Sequence, residues 1–217
     1  MNLLAIDTAT EACSAALWCD GDVYRQYRVL PRGHSEHVLP MVECILAEAG
    51  LARSAVDVIA CDRGPGSFTG IRIGVGVAQG IGLGLDRPVV GVSSLVVLAE
   101  MSGARLTLPA IDARMGQVYW TLLRQDTHAA IGWSFLRPEQ VSSPREITAP
   151  PPEAVGLGSG WDRYPNILGC YAGVTWLGGY FPDAAALASI AVREVTAVGS
   201  SDAQSALPVY VRDQVAG

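Results

Sequence analysis

Gly64-Pro65-Gly66-Ser67-Phe68-Thr69-Gly70-Ile71-Arg72-Ile73-Gly74-Val75-Gly76-Val77-Ala78-Gln79-Gly80 runs from a glycine-rich loop into a helical stretch that no stability argument would select. Each helical glycine costs about 0.8–1 kcal/mol relative to Ala, and this stretch and its continuation carry them at 74, 76, 80, 82 and 84. Gly70, Gly74, Ala78 and Gly82 fall four apart on one ridge, and Gly76, Gly80 and Gly84 four apart on a second. Two sides of one helix are thereby stripped of side-chain bulk. From residue 70 to 84 only Arg72 and Gln79 are polar, a pattern that predicts burial nearly all round. One side is expected to pack on the chain's own sheet and the other on a partner; tight packing of both sides inside one domain is the alternative.

The loop has features of a phosphate binder, since it follows the apolar run 56–61 and opens a helix whose N-terminus attracts anions. Its details argue against that role. The spacing of Gly64, Gly66 and Gly70 is one residue longer than the dinucleotide fingerprint, Pro65 lacks a backbone donor, and no Lys-Ser or Lys-Thr follows. Ser67 and Thr69 are expected to cap the helix. A nucleophilic serine would need a base and an orienting group, and the sequence does not place His34 or His128 beside either hydroxyl.

All 15 basic residues are Arg, which removes Schiff-base chemistry, a lysine base and a P-loop lysine together. With 21 acidic residues the net charge is -6, so the chain lacks the basic footprint of an independent nucleic-acid binder, and any RNA role is expected to be shared with a more basic partner. The five cysteines contain no C-x-x-C pair, so neither a disulfide framework nor a zinc ribbon is indicated. The opening residues reach Asp7 without a basic leader, and the apolar run 73–85 is short for a bilayer span. A soluble protein of the reducing cytoplasm, without a membrane partner, is the expectation.

Periodicity predicts strands at 2–6, 13–19 and 23–30 around the turn Asp20-Gly21-Asp22. A helix starting at His34 or Ser35 and stopped by Gly50 follows, its core stripe formed by Val38, Leu39, Val42, Ile45, Leu46 and Ala49. The strand at 56–61, the glycine-rich helix, a strand at 89–92 and a helix capped by Ser93 or Ser94 complete one unit. Further strands are expected at 106–111, 118–123, near 133–136 and at 154–157. Pro150, Pro151 and Pro152 suggest a surface connection, and a helix at 183–195 has Asp183 at its N-cap.

The segments Leu4-Ala5-Ile6-Asp7-Thr8-Ala9-Thr10, His34-Ser35 before Leu39-Pro40, the block at 64–80, Val92-Ser93-Ser94-Leu95, Asp112-Ala113-Arg114 with Val118-Tyr119, and Pro208-Val209-Tyr210-Val211-Arg212 resemble the TsaB (YeaZ) family. The resemblance spans the chain and is loose over 125–180. It implies an α/β, actin-like ATPase (ribonuclease-H-like) fold of two related lobes with mixed sheets. An N-terminal lobe (1–102) would carry the partner-binding helices, and a smaller, degenerate lobe (103–217) the C-terminal helix and tail. It also implies an accessory, non-catalytic subunit in the formation of threonylcarbamoyladenosine beside the anticodon of tRNAs reading codons that begin with A. The implied partners are a TsaD homologue, which is the transferase, and the TsaE ATPase. A homodimer is expected when the chain is alone, and tRNA contact only through the complex.

Candidate groups were weighed against that reading. His34 and His37 are three apart, one short of the His-x-x-x-His pair that holds metal in the TsaD branch, and no third ligand is evident. Asp7 stands where actin-like ATPases keep a metal-ordering carboxylate, but Thr8-Ala9 replaces the usual glycine, and a turn-stabilising role is favoured. A nucleotide, ATP or ADP, held at the TsaD interface is the one cofactor expectation, with Asp7 as its candidate contact; the isolated chain is expected to require none. The predicted partner face consists of Arg72, Gly76, Gln79, Gly80 and Leu83 on the glycine-rich helix, with His37, Met41, Cys44 and Glu48 on the preceding one. The rival class is an enzyme, either a glycoprotease-type metallopeptidase or an actin-like ATP-binding phosphotransferase.

Overall fold

A computed structural model describes residues 1–199, 207–209 and 211, so Tyr210 and Arg212 of the tail motif lie outside the described residues. Strands β1 (Asn2–Asp7), β2 (Ala12–Cys19), β3 (Asp22–Val29), β4 (Val58–Asp62) and β5 (Val89–Val92) form one sheet in the order β3-β2-β1-β4-β5. The first three are antiparallel, while β1, β4 and β5 run parallel. Asp20 and Gly21, at φ 47° and 104°, make the tight turn of the β2–β3 hairpin.

A second sheet joins β6 (Leu106–Asp112), β7 (Val118–Gln125), β8 (Trp133–Ser142), β9 (Val155–Leu157) and β10 (Thr175–Leu177). Its order, β8-β7-β6-β9-β10, repeats the first strand for strand, with an antiparallel triplet followed by two parallel additions. The repeat extends to residues, since β1 ends Ala5-Ile6-Asp7 and β6 ends Ala110-Ile111-Asp112. This duplicated order of mixed α/β sheets is the two-lobed actin-like fold.

Helices α1 (His34–Glu48) and α2 (Phe68–Leu85) cover one face of the first sheet. Helices α3 (Ser94–Met101) and α6 (Ala184–Val198) cover the other. Buried on both faces, β1 splits its side chains by period two: Leu4 and Ile6 meet α1 and α2, while Leu3 and Ala5 meet α6. The second lobe has only the short helices α4 (Ser159–Arg163) and α5 (Pro165–Leu168) after its fourth strand.

Three details differ from the sequence expectations. Helix α6 follows the second lobe in the chain but packs on β1, β2 and β4 of the first, because its alanine-rich stripe of Ala184, Leu187, Ala188 and Ala191 fits closely over that sheet. Strand β8 runs on to Ser142, since a register shift opposite Trp120 and Leu122 carries it past the polar stretch that hid it. Pro150 is buried rather than part of a wholly exposed connection.

Candidate partner face and the sealed loop beneath it

The glycines of α2 do two different things. On the inner ridge, a Cβ at Gly70 would overlap the Thr8 carbonyl oxygen, and one at Gly74 would lie 2.6 Å from Thr8 Oγ1. Gly66, in the loop, presses in the same way on the Ala9 carbonyl. Hydrogen bonds close this contact: Ser67 N donates to Ala9 O (2.7 Å), and Thr8 Oγ1 donates to Gly70 O (2.7 Å). On the outer ridge, a Cβ at Gly76, Gly80 or Gly84 would meet nothing within 4 Å. The helix is therefore buried on one side and open on the other, not buried nearly all round. It has the length and composition of a membrane span, but its inner ridge is seated on the β1–β2 turn.

Ser67 is the N-cap of α2, its Oγ accepting from Gly70 N at 3.3 Å, while Thr69 is exposed and the C-cap, Asp86, takes φ 55°. On the open strip Arg72, Gly76, Gly80 and Leu83 are exposed and Gln79 is half-buried. The Arg72 guanidinium stacks on the Phe68 ring.

Helix α1 departs from the sequence expectation at two positions. Met41 is buried in the core beside Val38, Val42 and Ile45, whereas Leu39, placed in the core stripe from sequence, is 48% exposed. The stripe centred on 38, 42 and 45 takes in 41 by i+3 and i–4 spacing and leaves 39 on its shoulder. Leu39, Pro40 and Glu43 turn toward α2 and, with Ile81, Gly84 and Leu85, line a groove of about 520 Å³. His37, Cys44 and Glu48 lie on the opposite flank, over β3, where Gln26 Nε2 donates to Glu48 Oε1 (3.0 Å).

Asp7 has no exposed surface. Its Oδ1 accepts from Ala9 N (3.0 Å), the turn-stabilising role favoured from sequence. With no exposed surface, Asp7 offers no direct contact to a nucleotide in this arrangement of the chain. His34 Nε2 donates to Thr10 O (3.0 Å), fixing that ring to the β1–β2 turn. His128 lies in the β7–β8 turn, its backbone N held by Asp126. No group of three metal-ligating side chains occurs among the described residues.

Sequence reading missed Asp62, which ends β4 beside Asp7 and is 1% exposed. The signal was present: a lone acid closing an apolar strand, as Asp7 closes β1. Burial raises both carboxyls. Asp7 stands well above the usual carboxylate range, with the Asp62 charge adding to the effect. Asp62 is pushed up to about 6, held there against hydrogen bonds from Ser94 and Gly64 that favour its ionised form.

Between the lobes a cleft of about 590 Å³ opens at the N-terminal ends of α1 and α2, lined among others by Arg32, His34, Ser67, Phe68, Asp112 and Arg114. Arg114 spans its mouth, donating to Glu11 Oε1 (3.0 Å) and Asp112 Oδ2 (3.2 Å).

A duplicated strand order with its first-strand loop filled by the following helix defines a two-lobed actin-like protein that offers a glycine-faced helix to the outside. Comparison with known proteins places it within that class. The family model described as TsaD, tRNA N6-adenosine threonylcarbamoyltransferase, matches residues 28–154. The chain is 41% identical to the tRNA threonylcarbamoyladenosine biosynthesis protein TsaB of Escherichia coli, over 100% of this chain and 96% of that protein. It is 35% identical to the TsaB of Haemophilus influenzae, over 99% and 95% of the two chains. A solved structure described as YeaZ from Pseudomonas aeruginosa superposes with a TM-score of 0.87 at 39% identity, covering 96% of this chain and 100% of that one. The chain belongs to the TsaB family.

Proposed function

We propose that the chain is a non-catalytic subunit that pairs through α1 and α2 with a TsaD homologue and thereby supports threonylcarbamoyl transfer to tRNA. The observation that carries this reading is the division of α2: glycines forced by contact on the inner ridge, and glycines with nothing against them on the outer one. An outer helical glycine costs stability, and a helix from another chain, approaching closely on a surface without Cβ atoms, is the compensation. On this reading Arg72, Gly76, Gln79, Gly80 and Leu83 form one strip of the contact, and Leu39, Pro40 and Glu43 on α1 the other. His37, Cys44 and Glu48 would contribute only at the margin of a partner that wraps α1.

The same face, self-complementary about a two-fold axis, would pair two copies when TsaD is absent. With a net charge of -6, tRNA is met through the complex, which in the cytoplasm also includes the TsaE ATPase. Nucleotide binding belongs to the partner side of the contact.

The test is a reconstituted transfer assay scored beside complex formation. Gly76→Leu and Gly80→Leu project bulk from an open surface, so they should abolish pairing and transfer while the circular dichroism spectrum stays that of the parent. His34→Ala, His37→Ala and Ser67→Ala should leave transfer within a few-fold, whereas removal of a metal ligand or an electrostatic stabiliser would cost about 10²-fold or more. Undiminished pairing in both leucine variants, or zinc-dependent peptidase activity of the isolated chain, would overturn the reading.

A further inference from the structure

Pairing through α1 and α2 leaves unused the most unusual chemistry of the first lobe, the two buried carboxyls at the ends of β1 and β4. The parallel register Ile6↔Cys61 sets Asp7 beside Asp62 at the carboxyl ends of β1 and β4. Both point to the α6 face, as Ala5 and Ala60 do two residues earlier. Each carboxyl has one oxygen engaged: Asp7 Oδ1 accepts from Ala9 N, and Asp62 Oδ1 accepts from Gly64 N (2.7 Å) and Ser94 Oγ (2.5 Å). The Oδ2 atoms are buried and receive a hydrogen from no donor among the described residues. A carboxylate only accepts, so two carboxyls side by side and out of water, each with an oxygen that lacks a donor, favour a proton held between them.

Among the described residues no countercharge is engaged with the pair. Asp183, at the N-cap of α6, faces the pair but is engaged by Arg25 of β3. Ser14 of β2, the register partner of Asp7, is bound to Ala184 N, and Glu139 of β8 is bound to Ser93. The field of Arg63 falls on Glu139, Glu194 and Cys61. Cys13 and Tyr27, both pushed up by burial, stay neutral beside Asp7.

Both roots of the glycine-rich segment hang on this pair. Asp62 holds Gly64 and Ser94, while the turn begun by Asp7 carries Thr8, whose hydroxyl holds Gly70. We propose that Asp7 and Asp62 form a proton-binding clasp that fixes the N-terminal end of α2, and with it the pairing face, and that loosens when its last proton leaves. Its consequence for pairing rests on the proposed function; the clasp itself does not.

Both groups stand above their unfolded values, so the stability they confer is present in full at acid pH and is lost as pH rises through the folded values. Asp62 gives up its proton at about 6, while Asp7, held well above the usual carboxylate range by burial and by the Asp62 charge, keeps one that the unfolded chain releases near 4. Across the range from about pH 5 to 9 the unfolding constant of the parent should therefore rise with pH, by at most about tenfold per unit for one proton, until the folded pair has released it.

Urea titrations of the full chain across that range, on the parent and on Asp7→Asn, test the clasp. The asparagine keeps the acceptor for Ala9 N and supplies an N–H to Asp62 without binding a proton, so subtracting its profile removes the histidines and leaves the rise due to the pair. Parallel profiles overturn the clasp. If Asp7→Asn does not fold, Asp62→Asn, which donates to Asp7 in turn, should flatten the profile in the same way, and the infrared carbonyl band of a protonated carboxylic acid in the parent at neutral pH decides independently. Hydrogen exchange at 64–74, corrected for intrinsic rate, should speed up as the last proton leaves in the parent and not in the variant; equal exchange in both overturns the link to α2. Pairing that fails at every pH in both proteins strikes at the proposed function and leaves these readouts to judge the clasp.

Discussion

In the first lobe the aspartate that closes β1 is sealed inside the fold, the loop after it seated under an 18-residue helix; in the second, Asp112, which closes β6, lies at the rim of the cleft and holds Arg114. Strand order is identical, and glycines after the fourth strand press on the first strand's end in both: Gly158 and Gly160 on Ala110, within β6, and Gly66 and Gly70 on Ala9 and Thr8, just past the end of β1. What differs is the helix: α4 has five residues, whereas α2 continues for 18 and turns a second row of glycines outward. The comparison separates two reasons for a helical glycine. Contact with the strand end is common to both lobes and belongs to the fold, while the outward row occurs in one lobe and is what the proposed pairing would use.

The largest expected effect tests that separation within α2. Gly70→Ala drives a Cβ into the Thr8 carbonyl oxygen, and neither backbone can give way without breaking the Thr8–Gly70 and Ser67–Ala9 hydrogen bonds. A loss of about 3 kcal/mol or more is expected from the overpacking and the broken bonds together. Gly76→Ala and Gly80→Ala meet nothing, so each should instead stabilise the monomer by roughly 0.5–1 kcal/mol. Urea denaturation under conditions where the protein is monomeric reads both. The same sign at Gly70 and Gly76 would break the two-ridge account.

A smaller effect compares the serines that hold the two strand ends. Ser94 Oγ donates to buried Asp62, and Ser159 Oγ accepts from the half-buried Asp112 N. Ser94→Ala strips a donor from a carboxylate that has no water to replace it, costing about 2–3 kcal/mol, and Ser159→Ala about 1 kcal/mol. Since Ser94 favours the ionised form of Asp62, its loss should also raise that group further above 6, visible as proton uptake extending to higher pH. Equal costs at both serines would mean that the two aspartates are equally solvated, against the burial of the first.

Period-two strands, the capped helices and the glycine ridges were legible from sequence because each depends on local spacing. Asp183 and Ser67 cap where the pattern put them. Met41 and Leu39 changed places because a one-residue difference at the shoulder of an apolar stripe is decided by the sheet beneath, which the helix sequence alone does not carry. Asp62 escaped for a related reason: its partner lies 55 positions away, and only the β1–β4 register brings the two acids together. The second lobe's α4, α5 and β10 are too short for either period to show, and the placement of α6 on the first sheet is a tertiary choice.

The smallest effect belongs to a charged link across the cleft mouth. Arg114 takes φ 61°, with Met115 at 54° and Gly116 at 75°, so the β6–β7 turn makes three left-handed steps. Asp112 Oδ1 supports the first of them by accepting Arg114 N at 3.0 Å. The guanidinium then reaches Glu11 of the first lobe. With 73% of the Arg114 side chain exposed, the link is screened by water and salt. Arg114→Ala should therefore cost less than about 1 kcal/mol, and the difference should vanish in roughly 1 M salt. Arg114→Gly tests the other half of the residue's situation, because glycine enters the left-handed region without the Cβ penalty and recovers part of what the lost ion pair removes. Urea denaturation of the two variants at low and high salt separates charge from backbone. If Arg114→Ala cost several kcal/mol and kept that cost in high salt, the second lobe's aspartate would be anchoring the lobes together, and the contrast between a sealed Asp7 and a cleft-lining Asp112 would fail.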